Sequence, residues 1–274
     1  MASETTGAGA RSAGVPARHR RRRGLRRRSA ALPALLLSLS TLASGGTAEA
    51  AEAGSQQDEP AAVTLDALER RAAADPDDLR AGAEYRQRCI AEQAYGRCIA
   101  FFERLAAEHP ESHAAHLNWG YAYVDKIPDA GAVTRVLLAD TALKKFTAAL
   151  AIEESWLALY TRGNSYVYWP PIFGRTKLGI ADLEKAVAAS EALDGEAPPY
   201  HAHAYAALGD GHWRLDELET ARSWWRRGLE RFPGDAALAR RLELEGEALD
   251  DHLDALYAIG GRVDTSLAEL WEAP

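Results

Sequence analysis

The segment that decides the fold reads AYGRCIAFFERLAAEHP and covers residues 94–110. Its apolar side chains recur with the spacing of one helix face, and a proline follows the last of them. The pair Asp75-Pro76 stands 34 residues before the pair His109-Pro110. A period of 34 residues is that of a helix-turn-helix repeat, which cannot bury its apolar face alone. The spacing therefore predicts helical hairpins stacked into a solenoid.

The same order of side chains, a small residue, an aromatic residue and a small residue, returns later in the chain. The two later copies are Ala142, Phe146 and Ala149, and Ala221, Trp225 and Gly228. A second pattern precedes them, as Trp119-Gly120-x-x-Tyr123, Gly163-x-x-Tyr166 and Leu208-Gly209-x-x-His212. Through these residues the chain resembles a tetratricopeptide repeat (TPR) protein. The resemblance implies an all-α, right-handed solenoid whose concave face, lined by the first helix of each hairpin, binds a peptide or protein segment.

The repeat pattern predicts a solenoid over residues 64–274, after a signal peptide at 1–50 and a linker at 51–63. We expect four repeats, at residues 77–108, 112–153, 155–190 and 200–232. A short helix starting at Thr64 should cover the first repeat, and capping helices should fill residues 235–272, the first of them reaching about Ile259. Repeat two has about ten extra residues, which predicts a lengthened second helix or a loop before it.

The first 50 residues have the layout of an export signal. A basic run at 18–28 precedes a short apolar core at 30–43, and small residues follow around Ala48 and Ala50. The apolar core is shorter than the roughly 20 residues that a membrane-spanning helix needs. We therefore predict export by the general or the twin-arginine route, cleavage, and a periplasmic or secreted protein with no stable membrane span.

The net charge of the chain narrows the class of partner that it can bind. Nine Arg and two Glu put a charge of +7 on residues 1–50, so that −15 remains on the rest of a chain whose net charge is −8. An acidic surface of this kind disfavours binding to nucleic acid.

Cys89 and Cys98 fall on the facing helices of one hairpin, across a tight turn. In an oxidising compartment they form a disulfide, or else they remain two small apolar residues that fill a helix contact.

The resemblance also implies which side chains line the concave face. They are a mixed polar and aromatic set: Arg80, Gln87, Leu117, Tyr121, Asp125, Tyr160, Asn164, Tyr168, His203, Asp210, Trp213 and Arg214. The family's carboxylate clamp needs a Lys where this chain has Tyr160, so that activity is not expected. Within this set we predict Tyr121, Tyr160, Trp213 and Arg214 to be the binding anchors. Trp225, which is outside the set, should pack between helices.

Three aromatic residues, Tyr168, Trp169 and Phe173, fit no packing position of the repeat. They lie around Pro170 and Pro171, which end the preceding helix because neither can donate a backbone hydrogen bond. Either these rings fold back over the edge of the solenoid, or they form an exposed contact patch.

We find no basis for catalysis, a metal or a cofactor in the sequence. His113 and His116 have helical spacing, but no third ligand accompanies them. The chain has no glycine-rich phosphate loop, nucleophile elbow or zinc protease motif. The sequence therefore predicts a non-catalytic binding or assembly module of the cell envelope with a protein or peptide partner. The alternative is a small-ligand-binding accessory protein of an envelope transport system, which requires a deep apolar channel instead of an open polar groove.

Overall fold

The computed structural model describes residues 64–271, and the predicted signal peptide and linker lie outside this range. The described residues form eleven α-helices and contain no β-strand. In chain order these are α1 Leu65–Ala74, α2 Leu79–Ala91, α3 Tyr95–Glu108, α4 His113–Lys126, α5 Ala132–Ile152, α6 Trp156–Val167, α7 Thr176–Glu191, α8 Ala202–Arg214, α9 Leu218–Arg231, α10 Ala236–Glu243 and α11 Gly246–Leu256. The four repeats are the hairpins α2/α3, α4/α5, α6/α7 and α8/α9, and each packs on the next to give the predicted all-α, TPR-like solenoid.

The first helices of most hairpins begin at a capping side chain. Asp78, Ser112, Ser155 and Asp235 each accept a hydrogen bond from the backbone N–H three residues later, at the starts of α2, α4, α6 and α10. Such a cap satisfies one of the free N–H groups of the first turn and is worth about 1 kcal/mol. Asp78, Ser112 and Ser155 therefore mark the starts of the first three repeats, whereas α8 of the fourth repeat has no side-chain cap.

The small-residue and aromatic pattern has a direct steric cause. A Cβ on Gly120 of α4 would lie 2.3 Å from the ring of Phe146 on α5, and a Cβ on Gly209 of α8 would lie 2.2 Å from the indole of Trp225 on α9. Both aromatic side chains are fully buried. The glycine of the first helix thus makes room for the aromatic residue of the second, which closes the hairpin.

Repeat two combines both of the predicted alternatives. A short 3-10 helix, Ile127–Asp129, follows α4, and α5 then runs for 21 residues. The extra residues therefore lengthen the N-terminal end of α5 and project it beyond α4. Among the described helices, none is both long enough and apolar enough to cross a membrane.

The C-terminal cap differs from the predicted one. We expected one helix to about Ile259, but it breaks between α10 and α11, where Leu244 is extended and Gly246 has φ 51°. Arg222 of α9 donates to the carbonyl oxygens of Leu242 and Leu244 at 3.4 and 3.0 Å, which satisfies acceptors that a continuous helix would have used. The short last helix that the sequence predicts at Asp264 to Trp271 is also wrong, because within the described residues 257–271 the only helical element is a 3-10 turn at Ala268–Leu270.

His201 is buried at the junction between the third and fourth repeats. Its ring stacks on Trp156 with centroids 4.2 Å apart, and its Nδ1 lies 2.9 Å from Ser190 Oγ. Burial lowers the pKa of His201 to about 4, because the charged ring would lose its hydration there.

Acidification should therefore destabilise the fold through His201. The folded-state pKa lies below the unfolded value near 6.5, so the stability contributed by the neutral ring is complete above pH 6.5 and is lost as the pH falls toward 4. We expect the free energy of unfolding to drop by about 2 kcal/mol between pH 7 and pH 5 from this residue. Urea unfolding of the native protein and of His201→Gln at both pH values measures it. Equal losses in the two proteins would contradict the assignment.

Cys89 of α2 and Cys98 of α3 are buried free thiols in the structure, and they lie close enough for each to shift the pKa of the other. The neighbouring Cys98 thiol lowers the pKa of Cys89. The neighbouring Cys89 and burial raise the pKa of Cys98. The two sulfurs thus face each other across the turn, and the disulfide stays a prediction for the exported protein.

We expect protein purified from its native host to carry a Cys89–Cys98 bridge. The bridge would close a loop of about ten residues and add roughly 2–3 kcal/mol by restricting the unfolded chain. Alkylation in denaturant without reductant, followed by mass spectrometry, should leave both cysteines unmodified. Two alkylated thiols would show that they serve only as apolar packing.

Candidate functional site: the first-helix face and the segment that covers it

The chain after α11 turns back onto the helices that begin each repeat. We call residues 257–271 the C-terminal segment, and the surface formed by α2, α4, α6 and α8 the first-helix face. The segment reaches α2 through Thr265, whose carbonyl oxygen accepts from Arg86 at 2.7 Å, and α8 through Glu269, which lies 2.7 Å from His203 Nε2. The C-terminal segment therefore contacts the first-helix face from the first repeat to the fourth.

Arg86 holds the middle of the C-terminal segment. Its side chain is fully buried and donates to Asn118 Oδ1 at 2.9 Å, to Asp125 Oδ2 at 2.9 Å and to the Thr265 carbonyl. The Thr265 hydroxyl in turn donates to Asp125. A guanidinium and a carboxylate buried together are tolerated when their hydrogen bonds are satisfied, so the segment completes this network.

Asp210 of α8 holds the start of the segment. Its carboxylate, also fully buried, accepts from Arg241 at 2.8 and 2.7 Å, from Trp225 Nε1 at 3.1 Å and from the Tyr257 hydroxyl at 2.8 Å. Burial next to Asp210 raises the pKa of Tyr257, so the phenol keeps its proton and donates. The same carboxylate therefore ties α8, α9, α10 and the C-terminal segment together.

The remaining contacts continue along the first-helix face. Leu267 packs against the cluster of Leu117 and Phe146, and its backbone takes a left-handed conformation with φ 59° to do so. For a leucine this conformation is costly and persists only where the surroundings hold it. The Arg80 guanidinium lies over the Trp271 ring, 5.7 Å from its centroid.

The twelve predicted groove residues divide into three groups. Eight contact the C-terminal segment, the last of them through the cluster on which Leu267 packs: Arg80, Gln87, Asp125, Tyr168, His203, Asp210, Arg214 and Leu117. Three line a cavity beneath it: Tyr121, Tyr160 and Asn164. The last, Trp213, is buried.

The assignment of Trp213 as an accessible anchor is therefore wrong for this structure. Trp213 is 8 % exposed and its indole N–H donates to Asp250 Oδ1 of α11 at 2.9 Å. The repeat pattern places Trp213 on the first helix, but it does not reveal that α11 covers this position. Leu117 and Asp210 are likewise closed off, one by α5 and the other by α10.

A cavity of about 290 Å³ lies between the first-helix face and the C-terminal segment. Its wall is mostly aromatic and aliphatic, with Tyr121, Phe146, Tyr160 and Tyr168 on one side and residues 257–267 on the other. Burial raises the pKa of Tyr121 to about 12 and raises that of Tyr160 as well. Both phenols are therefore neutral at physiological pH, and the aromatic part of the cavity wall carries no charge.

The irregular aromatic loop is divided between the two predicted arrangements. Tyr168 and Trp169 fold back: the first packs on Tyr257 with ring centroids 4.7 Å apart, and the second is buried under Arg175, 3.8 Å from its ring centroid. Phe173 remains 57 % exposed.

The two histidines considered as metal ligands have other contacts. Both ring nitrogens of His113 are engaged, with the Ala149 carbonyl at 3.0 Å and Ser155 Oγ at 2.9 Å, while His116 packs on Trp119. Across residues 64–271 no three His, Cys, Asp or Glu side chains converge as a metal site would require.

Sequence reasoning missed Arg86, Arg241 and the C-terminal segment. One signal was available: residues 257–271 contain Tyr257, Ile259, Val263, Leu267 and Trp271, which is too apolar a composition for a solvated tail. The two arginines gave no signal, because a charged residue on a helix usually faces solvent.

These stacked hairpins give the chain a TPR-like helical-repeat fold. Its fold is similar to that of TTC0263, a thermophilic TPR protein of Thermus thermophilus, with TM-score 0.50 and 19 % identity over 65 % of this chain and 87 % of that chain. PilF of Pseudomonas aeruginosa gives TM-score 0.47 and 15 % identity over 70 % and 82 % of the two chains, and MamA gives 0.43 and 16 % over 61 % and 85 %. No protein-family model and no curated protein matches the sequence.

Proposed function

We propose that this chain is a non-catalytic protein-binding scaffold of the cell envelope whose first-helix face holds a polypeptide segment. The observation that carries the proposal is the C-terminal segment itself, since a stretch of polypeptide that contains no α-helix already lies on that face. The fold supports the same conclusion, because solenoids of stacked hairpins present an extended surface to their partners. The acidic charge of the chain after residue 50 favours a protein over a nucleic acid.

The contacts to Thr265 indicate how a bound segment would be recognised. Arg86 donates to a main-chain carbonyl, a contact that any sequence offers, whereas Asp125 and Gln87 contact the threonine hydroxyl. A partner would therefore be held by its backbone and selected by a hydroxyl side chain. Because the C-terminal segment is part of the same chain, it competes at a high effective concentration, and a partner must displace it.

The proposal of an envelope location depends on the predicted signal peptide at residues 1–50, and cleavage of this peptide can be tested separately. We expect the protein isolated from its native host to begin between Ala50 and Gly54, because the small residues before these points suit a signal peptidase. N-terminal sequencing measures this. An intact arginine-rich N-terminus would rule out processing at this point.

The binding face can be tested by photo-crosslinking in the native host. A photoreactive amino acid replaces Arg80 of α2, whose side chain is 58 % exposed on the first-helix face. The matched control replaces Arg104 of α3, which is 61 % exposed on the second helix of the same hairpin. We expect a protein adduct of discrete mass at position 80 and none at position 104. Equal adducts at both positions, or none at position 80, would contradict the proposal.

A second candidate function is favoured by the cavity. The small-ligand alternative requires a deep apolar channel, and the space beneath the C-terminal segment supports it in part, because its wall is mostly apolar although it is open to solvent on one side. Its volume is close to the lower limit of pockets that bind small molecules, roughly 300–1,000 Å³. In this case the C-terminal segment would act as one wall of a ligand site.

A further inference from the structure

We propose that the cavity binds a single-chain amphiphile with an anionic head group, with its chain inside the cavity and its head at Arg135. This inference rests on the second candidate function and names the class of ligand. It follows from the wall of the cavity, from its opening and from the charges around it.

The cavity opens to solvent between the N-terminal end of α5 and the aromatic loop. Val136 and Phe173 line the cavity and are nevertheless 48 % and 57 % exposed, so they form its rim. Arg175, just after the loop, donates to Asp140 of α5 at 2.9 Å, which keeps loop and helix adjacent. Val133, Leu137 and Ile172 are also exposed beside these residues. Because the apolar rim continues the apolar part of the cavity wall, the site suits a ligand with a long hydrocarbon chain.

Arg135 supplies the charge at this end of the cavity. Its guanidinium donates to the carbonyl oxygens of Ala130 at 2.7 Å and Pro128 at 3.0 Å. Among residues 64–271 no carboxylate lies within ion-pair distance of it. A Cβ on Gly260 would come within 2.0 Å of Nη1, so the glycine lets the C-terminal segment pack directly on this guanidinium.

The other charged side chains around the cavity are already engaged. Asp125 pairs with Arg86, and Arg262 pairs with Asp129 at 3.0 Å. Asp264 is exposed and accepts from the Ser266 backbone N–H at 2.8 Å. Of the described residues that line the cavity, Arg135 is therefore the cation left for a ligand, and an anionic head would complete its hydrogen bonding. The volume favours one hydrocarbon chain over a two-chain lipid.

The test compares dodecanoate with dodecanol, below their aggregation concentrations, by calorimetry on the full chain. The two probes share a chain and differ in the charge of the head. We expect dodecanoate to bind at least tenfold more tightly, and Arg135→Gln to abolish that difference while leaving dodecanol binding unchanged. Arg135→Lys should keep part of the preference. A lysophosphatidylglycerol arm distinguishes a lipid phosphate from a free carboxylate as the source of the anion.

Blocking variants separate this inference from the function on which it rests. Ala139→Trp fills the cavity and should abolish binding of both probes, whereas Ala148→Trp, on the same helix and outside the cavity, should bind as the native protein does. If both probes bind equally and Ala139→Trp blocks both, the anionic head is refuted and the small-ligand function stands. If neither probe binds, or if Ala139→Trp changes nothing, both proposals fail. Thermal unfolding of each variant establishes that it is folded.

Discussion

Replacing Asp210 by alanine should lower the free energy of unfolding by about 3–5 kcal/mol. The carboxylate is fully buried and accepts from Arg241, Trp225 and Tyr257. Its removal leaves the Arg241 guanidinium buried without a counter-charge and the Tyr257 hydroxyl without its acceptor, which costs far more than the loss of a surface ion pair. The Trp225 indole N–H keeps the Ala206 carbonyl as an acceptor. Chemical denaturation followed by circular dichroism measures the change.

Two further variants test the reason for this loss. Asp254→Ala removes an exposed carboxylate from α11 and should change stability by less than about 0.5 kcal/mol. Replacing the pair together, as Asp210→Leu with Arg241→Met, should recover much of the loss, because no unpaired charge then remains. A cost below about 1 kcal/mol for Asp210→Ala would show that this network does not stabilise the fold.

Arg86→Met should have an effect of similar size, again about 3–5 kcal/mol. The substitution keeps much of the apolar stem but leaves Asp125 buried and unpaired, and it removes the donor to the Thr265 carbonyl. We also expect residues 258–271 to exchange their amide hydrogens faster, since they lose a buried anchor. Unfolding curves and hydrogen exchange measure the two effects.

The control for Arg86 lies on the same helix. Arg80 pairs with Glu84 at the surface, so Arg80→Met should cost less than about 1 kcal/mol. If the two substitutions cost the same, or if exchange in the C-terminal segment stays unchanged in Arg86→Met, then the segment is not held by this arginine.

The pairing of helices could be predicted from sequence because its determinants are local and periodic. Each glycine and its aromatic partner, Gly120 with Phe146 and Gly209 with Trp225, belong to the same hairpin. The steric fit between them therefore depends only on residues of one repeat. The burial of Trp225 was predicted for this reason and is confirmed, since it is fully buried. The capping residues Asp78, Ser112 and Ser155 act at the same range.

The surroundings of the candidate site could not be predicted in this way. Trp213 occupies a first-helix position of the fourth repeat, but its neighbour Asp250 belongs to α11, outside the repeat pattern. Arg86 meets Thr265 across 179 residues of sequence. No short-range sequence pattern marks such pairs, because residues so far apart in sequence come into contact only through the tertiary fold of the whole chain.

By itself the sequence determined that this protein is a solenoid of helical hairpins, with its repeat starts, its glycine and aromatic contacts and the positions of its first helices. Only the tertiary structure decided what covers the first-helix face. The C-terminal segment lies there because its Leu267 packs on the cluster of Leu117 and Phe146, and because Asp210, Arg86 and Asp125 present buried charges that its Tyr257 and Thr265 satisfy. Helix formation depends on neighbours a few residues apart, whereas these contacts depend on charges brought together from both ends of the fold.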